Sequence, residues 1–282
     1  DGEPLATCVT SLKEANSFFG KNLETGEPVP QTKFQKDDIA QVAARHGMNV
    51  EEYLFYNRMI AETARRESLS PESASFSIQN NDGAGEGFND ATVAPWFPGS
   101  EGGNSAATLG AARLAVFNQA ASIWGAYLDS NVPTVVAAQF NPQTCTATSA
   151  VLGSAGTINI FSFSSGAPYL NTWYHSALTN KIARTDASGA TAEITATFNS
   201  NLNGSPGCLG GRRFYFGFDN ASPGGNINLL VVVLHEMGHG LGFSNFVDET
   251  TGANNGGVTD IYSQFTFDRT ANKYWSQMTN AE

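Results

Sequence analysis

His235-Glu236-Met237-Gly238-His239 brings together the side chains of this chain whose types and spacing best suit chemistry. In an α-helix, residues i and i+4 lie one above the other on one face, so both imidazoles can reach a single divalent cation. In a strand the same two residues stand about 13 Å apart, too far for a shared ion with ligands at about 2 Å. Glu236 follows the first histidine directly, which sets its carboxylate beside the ion rather than on it. There it can act as general base toward a water that zinc acidifies. The chemistry this permits is hydrolysis, with Glu236 carrying a proton from water to a leaving amine. Only four histidines occur in 282 residues, so this constellation arises by chance on the order of one time in a hundred or less. The competing reading is a pair of structural core histidines. The apolar run before the motif and the small residues Gly238, Gly240 and Gly242 within and after it weigh against that.

A helix must position these groups. The preceding run, Leu229 to Leu234, is valine-rich and by itself prefers a buried strand. The histidine spacing argues for helix instead, with Asn226 or Asn228 as its cap and Leu229, Val232, Val233 and Met237 facing the core. Leu109 to Leu128 is the best amphipathic helix, with Val116, Ala120, Ile123 and Tyr127 on one stripe. Ala74 to Ile78 before it and Thr134 to Phe140 after it read as strands, giving a strand–helix–strand unit. Further strands are predicted at Thr157 to Phe163, Ala192 to Phe198 and Arg213 to Phe218, and a helix at Leu170 to Ala183. The expected class is α+β: a twisted mixed sheet of about five strands packed on the 109–128 helix and the histidine helix.

Residues 1–70 hold a helical segment, with one pattern from Asp37-Asp38 to His46-Gly47 and a second from Val50 to Arg66. Composition then turns to Ser, Gly, Asn and Pro, which places a boundary near residue 70. The expected division is 1–70 as an N-terminal helical segment, read as a pro-segment, and 71–282 as the catalytic domain. A peptidoglycan-binding LysM-like hairpin is a poorer reading, because flanking strands are missing.

Net charge is −11 and the isoelectric point about 4.8, which excludes a nucleic-acid partner needing a basic face. No apolar run approaches the roughly 18–20 residues of a membrane span. The chain opens at Asp1 with no basic-then-apolar leader, which reads as a mature, exported chain, secreted and extracellular. Of three cysteines, Cys145 and Cys208 lie in polar loops and are expected to pair, against the alternative of three reduced thiols. Cys8 is a candidate thiolate covering the metal from the pro-segment. His46 and His175 read as structural. The Asn/Asp/Gly loops at 80–90 and 219–226 could take calcium (Ca2+) but lack EF-hand spacing, so solvated turns are the better reading.

The stretch from His235 to Ser244 resembles the metzincin zinc helix. Its tail, His239-Gly240-Leu241-Gly242-Phe243-Ser244, is most similar to leishmanolysin-like peptidases and to bacterial secreted peptidases that carry a protease-associated domain. The likeness also takes in Ala192 to Phe198, Gly207-Cys208-Leu209 and Thr259-Asp260-Ile261-Tyr262, over residues 75–282, although only the zinc helix is specific. It implies a zincin-like catalytic domain and a zinc (Zn2+) endopeptidase acting on protein or peptide substrates. His235 and His239 would be metal ligands, Glu236 catalytic, and Gly242 the turn after the second ligand. The metzincin pattern puts a third ligand where this chain has Asn245, a poor zinc donor. Four readings stay open: a third histidine beyond Glu282 after a long insertion, Asp260, Asp248 as in aspzincins, or Glu249 or a vestigial site. Substrate would lie extended along an edge strand. The rivals are a zinc amidase acting on cell-wall peptides and a non-catalytic adhesin or carbohydrate-binding module; the intact Glu236 argues against the latter.

Overall fold

The computed structural model describes residues 33–67, 73–221 and 223–282; Cys8 lies outside them. The elements run α1 (Lys33–Arg45), α2 (Val50–Glu67), β1 (Phe76–Asn80), α3 (Leu109–Tyr127), β2 (Thr134–Asn141), β3 (Gly153–Thr157), β4 (Ile160–Ser162), β5 (Trp173–His175), α4 (Ser176–Ala183), β6 (Ile194–Asn199), β7 (Phe214–Tyr215), β8 (Ile227–Asn228), α5 (Leu229–Leu241), β9 (Phe267–Asp268) and β10 (Lys273–Tyr274). The class is α+β. Among the described residues no helix is long and apolar enough to cross a membrane.

The main sheet has four strands in the order β1-β2-β6-β3. β1 and β2 are parallel, as are β2 and β6, whereas β3 runs antiparallel to β6 and forms an edge. The strand–helix–strand unit expected around α3 is present, because two parallel neighbours need a crossover and α3 supplies it. Thr108 caps α3 by accepting from the Ala111 amide at 3.2 Å.

The sheet has one strand fewer than expected, and the reason is local. The predicted strand from Thr157 to Phe163 breaks, because the Thr157 hydroxyl donates to the Asn159 carbonyl at 2.6 Å and pairs with Ser176 at 2.9 Å. Beyond the break, β4 pairs with β5 in a separate ribbon. The helix predicted from Leu170 to Ala183 accordingly begins only at Ser176. Its first residues are taken by β4 and by the 259–261 segment, where the Trp173 amide donates to Thr259 and the Ile261 amide to Trp173, each at 2.9 Å. Distant pairing overrides local helix pattern here.

Phe117 on α3 meets Phe88 at 5.0 Å and Phe198 of β6 at 5.1 Å between ring centroids, both edge to face. α5 lies against both α3 and the sheet. Its contact with β6 is close: a Cβ placed on Gly240 would sit 2.5 Å from Ile194 Cγ2, so only glycine fits. Val42, Ala43, Met48, Tyr53, Tyr56 and Met59 of the N-terminal helical hairpin are buried in this same core. A disulfide joins Cys145 to Cys208, as expected, and ties the loop leading into β3 to the loop after β6.

Candidate metal centre

α5 forms despite its valine run. Asn228 caps it, with the side-chain oxygen accepting from the Val231 amide at 3.3 Å. Leu229 to Leu234 and Met237 are all buried, so packing against α3, β3 and β6 overrides the local strand preference of the valine run. Gly242 ends the helix at φ 132°, a conformation that favours glycine.

The helix brings His235 and His239 together, with their Nε2 atoms 3.0 Å apart. Two nitrogens on a tetrahedral zinc at about 2.0–2.1 Å would stand about 3.3 Å apart, so this spacing fits a shared ion. The Nδ1–H of His239 donates to the Phe243 carbonyl at 2.9 Å, which leaves Nε2 with its lone pair. His235 Nδ1 is buried without a hydrogen-bond partner. Burial, followed by the neighbouring His239, lowers the pKa of His235, which favours the neutral, metal-binding form.

Glu236 points to the edge strand. Its Oε2 accepts from the Ala155 amide of β3 at 2.9 Å. Burial raises its carboxyl above the ordinary range, against the pull of His239 and of that amide. A cavity of about 370 Å3 opens beside the two histidines, walled by Phe55, Tyr56, Trp124, Phe243 and Tyr262, with Glu51 and Glu52 also bordering it. The Tyr56 ring stands edge-on to His235 at 5.8 Å, and its phenol is pushed up by burial, then by Glu52 and Glu236.

The carboxylates considered as third ligands do not join the histidines. Asp260 is buried, but its oxygens accept from the Phe246 amide at 3.0 Å, the Ser263 amide at 2.8 Å and the Ser263 hydroxyl at 2.9 Å. Asp248 caps an exposed turn through the Thr250 and Thr251 amides. With Glu249 it borders a different cavity. Among the described residues, no three His, Cys, Asp or Glu side chains are close enough to hold one ion. In the loops considered for calcium, Asp82 accepts from the Phe88 and Phe140 amides at 2.7 and 2.8 Å, and Asp219 from the Tyr215 hydroxyl at 2.8 Å and the Ala221 amide at 3.1 Å. Both carboxylates brace the fold.

His46 and His175 are buried, and burial is the main cause that brings each pKa to about 4. His175 lies against the Phe246 ring at 4.6 Å and bonds Ser244 Oγ at 2.8 Å. Sequence reasoning missed Ala155, Tyr56 and Trp124. Ala155 contributes only its backbone, and nothing in the type or spacing of Tyr56 and Trp124 marks them for chemistry. No family model, curated protein or solved structure matches this chain.

Proposed function

We propose that this chain is a zinc-dependent endopeptidase of zincin-like design, with His235 and His239 holding the ion and Glu236 serving as general base. The observation that carries the reading is the 3.0 Å approach of the two Nε2 atoms on one helical face, with the carboxylate between them in sequence turned aside to a strand edge. When bound, the ion acidifies the attacking water and polarises the scissile carbonyl.

The protein's own groups do the rest. Glu236 takes the proton from water and hands it to the leaving amine nitrogen. The Ala155 N–H keeps the carboxylate at the strand edge, aimed at the place where a substrate carbonyl would sit. An extended peptide adds to β3 through the free side of that edge. The aromatic cavity walled by Phe55, Trp124 and Phe243 receives a side chain and excludes water around it.

Zinc content and casein hydrolysis test this together. The 282-residue chain, loaded with zinc and dialysed, is expected to retain one equivalent, and His239→Ala none. Hydrolysis should stop on chelation and return with zinc. Protein that retains no zinc, or cleaves equally after chelation, would falsify the proposal.

A further inference from the structure

Helices α1 and α2 form a hairpin whose second helix closes one side of the cavity, with Tyr56 over His235. A buried polar contact fastens it there. His46, just past the end of α1, is 2% exposed. Its Nδ1 lies 2.7 Å from the Val42 carbonyl and its Nε2 2.9 Å from the Asn228 backbone nitrogen. A carbonyl only accepts, so Nδ1 carries the ring proton. An N–H only donates, so Nε2 must offer a lone pair. The contact therefore requires a neutral imidazole.

Asn228 is the cap of α5, so the hairpin is fastened to the first turn of the helix that carries His235 and His239. A second buried link joins Asn57 of α2 to Asn220, which in turn meets the Asn228 side chain at 3.4 Å. Burial, and secondarily Arg45, oppose a charge on His46. Arg45 adjoins it on its own helix, and the Tyr53 ring of α2 lies at 5.1 Å. Arg212 shares with Arg45 the surroundings of Gly225, three residues before Asn228. Protonation at Nε2 would set two donors face to face and bury a cation beside Arg45.

We propose that His46 is an acid-labile latch: while neutral it holds the hairpin over the candidate metal centre, and its protonation releases the hairpin and opens the cavity. The gating of substrate rests on the endopeptidase reading, whereas the latch itself does not. Burial brings His46 from 6.5 to about 4. The released form therefore takes up the proton first, and docking weakens as pH falls from 6.5 toward 4. Release at pH 5 should be favoured about 30-fold over pH 8 on those two values.

Hydrogen exchange on the full chain tests the latch, read over residues 39–63 at pH 7.5 and 5.0 and corrected for intrinsic rates. Wild-type protection there should fall about 30-fold at the lower pH. His46→Gln should keep its protection, since a glutamine oxygen accepts from the Asn228 amide and does not titrate. Equal loss in both proteins, or no loss in the wild type, overturns the latch. Nitrogen chemical shifts of the His46 ring give a check that needs no variant. An Nδ1–H tautomer persisting below pH 5 supports the latch, and titration near 6.5 overturns it. Casein hydrolysis at pH 5.0 separates the two readings. Faster cleavage by wild type than by His46→Gln supports gating, and equal cleavage overturns it. Release of the hairpin with zinc bound but no hydrolysis at any pH overturns the endopeptidase reading and leaves the latch standing.

Discussion

The Glu236 carboxylate accepts a hydrogen bond from the Ala155 amide at 2.9 Å, a contact that joins α5 to the free edge of the main sheet. Ala155 faces Ala196 of β6 on its other side. The strand that would receive a peptide therefore also fixes the group that would move its proton. Any shift of β3 relative to α5 changes the aim of the base.

Glu236→Gln should test that aim most directly. Glutamine preserves the length of the side chain and an oxygen for the Ala155 amide, but it accepts no proton at neutral pH. Casein hydrolysis is expected to fall about 10²- to 10⁴-fold, with zinc content unchanged. Loss of zinc along with activity would instead make Glu236 a ligand.

The fit between α5 and β6 allows a size-swap experiment. Gly240→Ala puts a methyl 2.5 Å from Ile194 Cγ2, and overpacking of this kind costs about 1–3 kcal/mol. Ile194→Ala alone leaves a cavity and costs about 2–5 kcal/mol. The double variant should be more stable than the sum of the two losses, measured by urea denaturation. Simple additivity would mean that the two residues do not meet.

The Cys145–Cys208 bridge closes a loop of 63 residues in sequence separation. Constraining a loop of that length contributes about 4 kcal/mol in the chain-entropy picture. The double Cys→Ala variant should lose stability on that scale. It should also lose activity, because the bridge anchors the approach to β3. Peptide mapping without reductant provides the check on pairing.

Acid should destabilise the protein through two buried imidazoles. Burial brings His46 and His175 each to about 4, against about 6.5 when unfolded. A base with its folded value lowered keeps its full contribution above 6.5 and loses it as pH falls to 4. Unfolding in that window takes up nearly two protons, so stability should fall by at most about 2.7 kcal/mol per pH unit. His46→Gln and His175→Gln should each flatten the decline by about half. An unchanged slope in the double variant would assign the acid sensitivity to other groups.

Much of the candidate centre is legible in the sequence because it is local. The i, i+4 histidines, the Asn228 cap and the turn at Gly242 all lie within fifteen residues and act through one helix. The β1–α3–β2 unit is legible for the same reason, since each element carries its own periodicity. Contacts made across the chain are not. Trp173–His175 carry a helical pattern yet pair with Ile160–Ser162, and Asp260 is spent on Phe246 and Ser263. The strand pairing and the bond to Phe246 each span more than ten residues, and only the Ser263 contact is local. The approach of Tyr56 to His235 joins positions 179 residues apart.

Trp124 donates its indole N–H to the Leu234 carbonyl at 3.2 Å and borders the cavity beside both histidines. The protein thus carries its own fluorophore against the place where an ion would sit. Cobalt or copper held there would dim its emission. Zinc, with a filled d shell, would bind without that effect and restore the light as it displaced cobalt. Occupancy could then be followed optically, in real time, with no label attached.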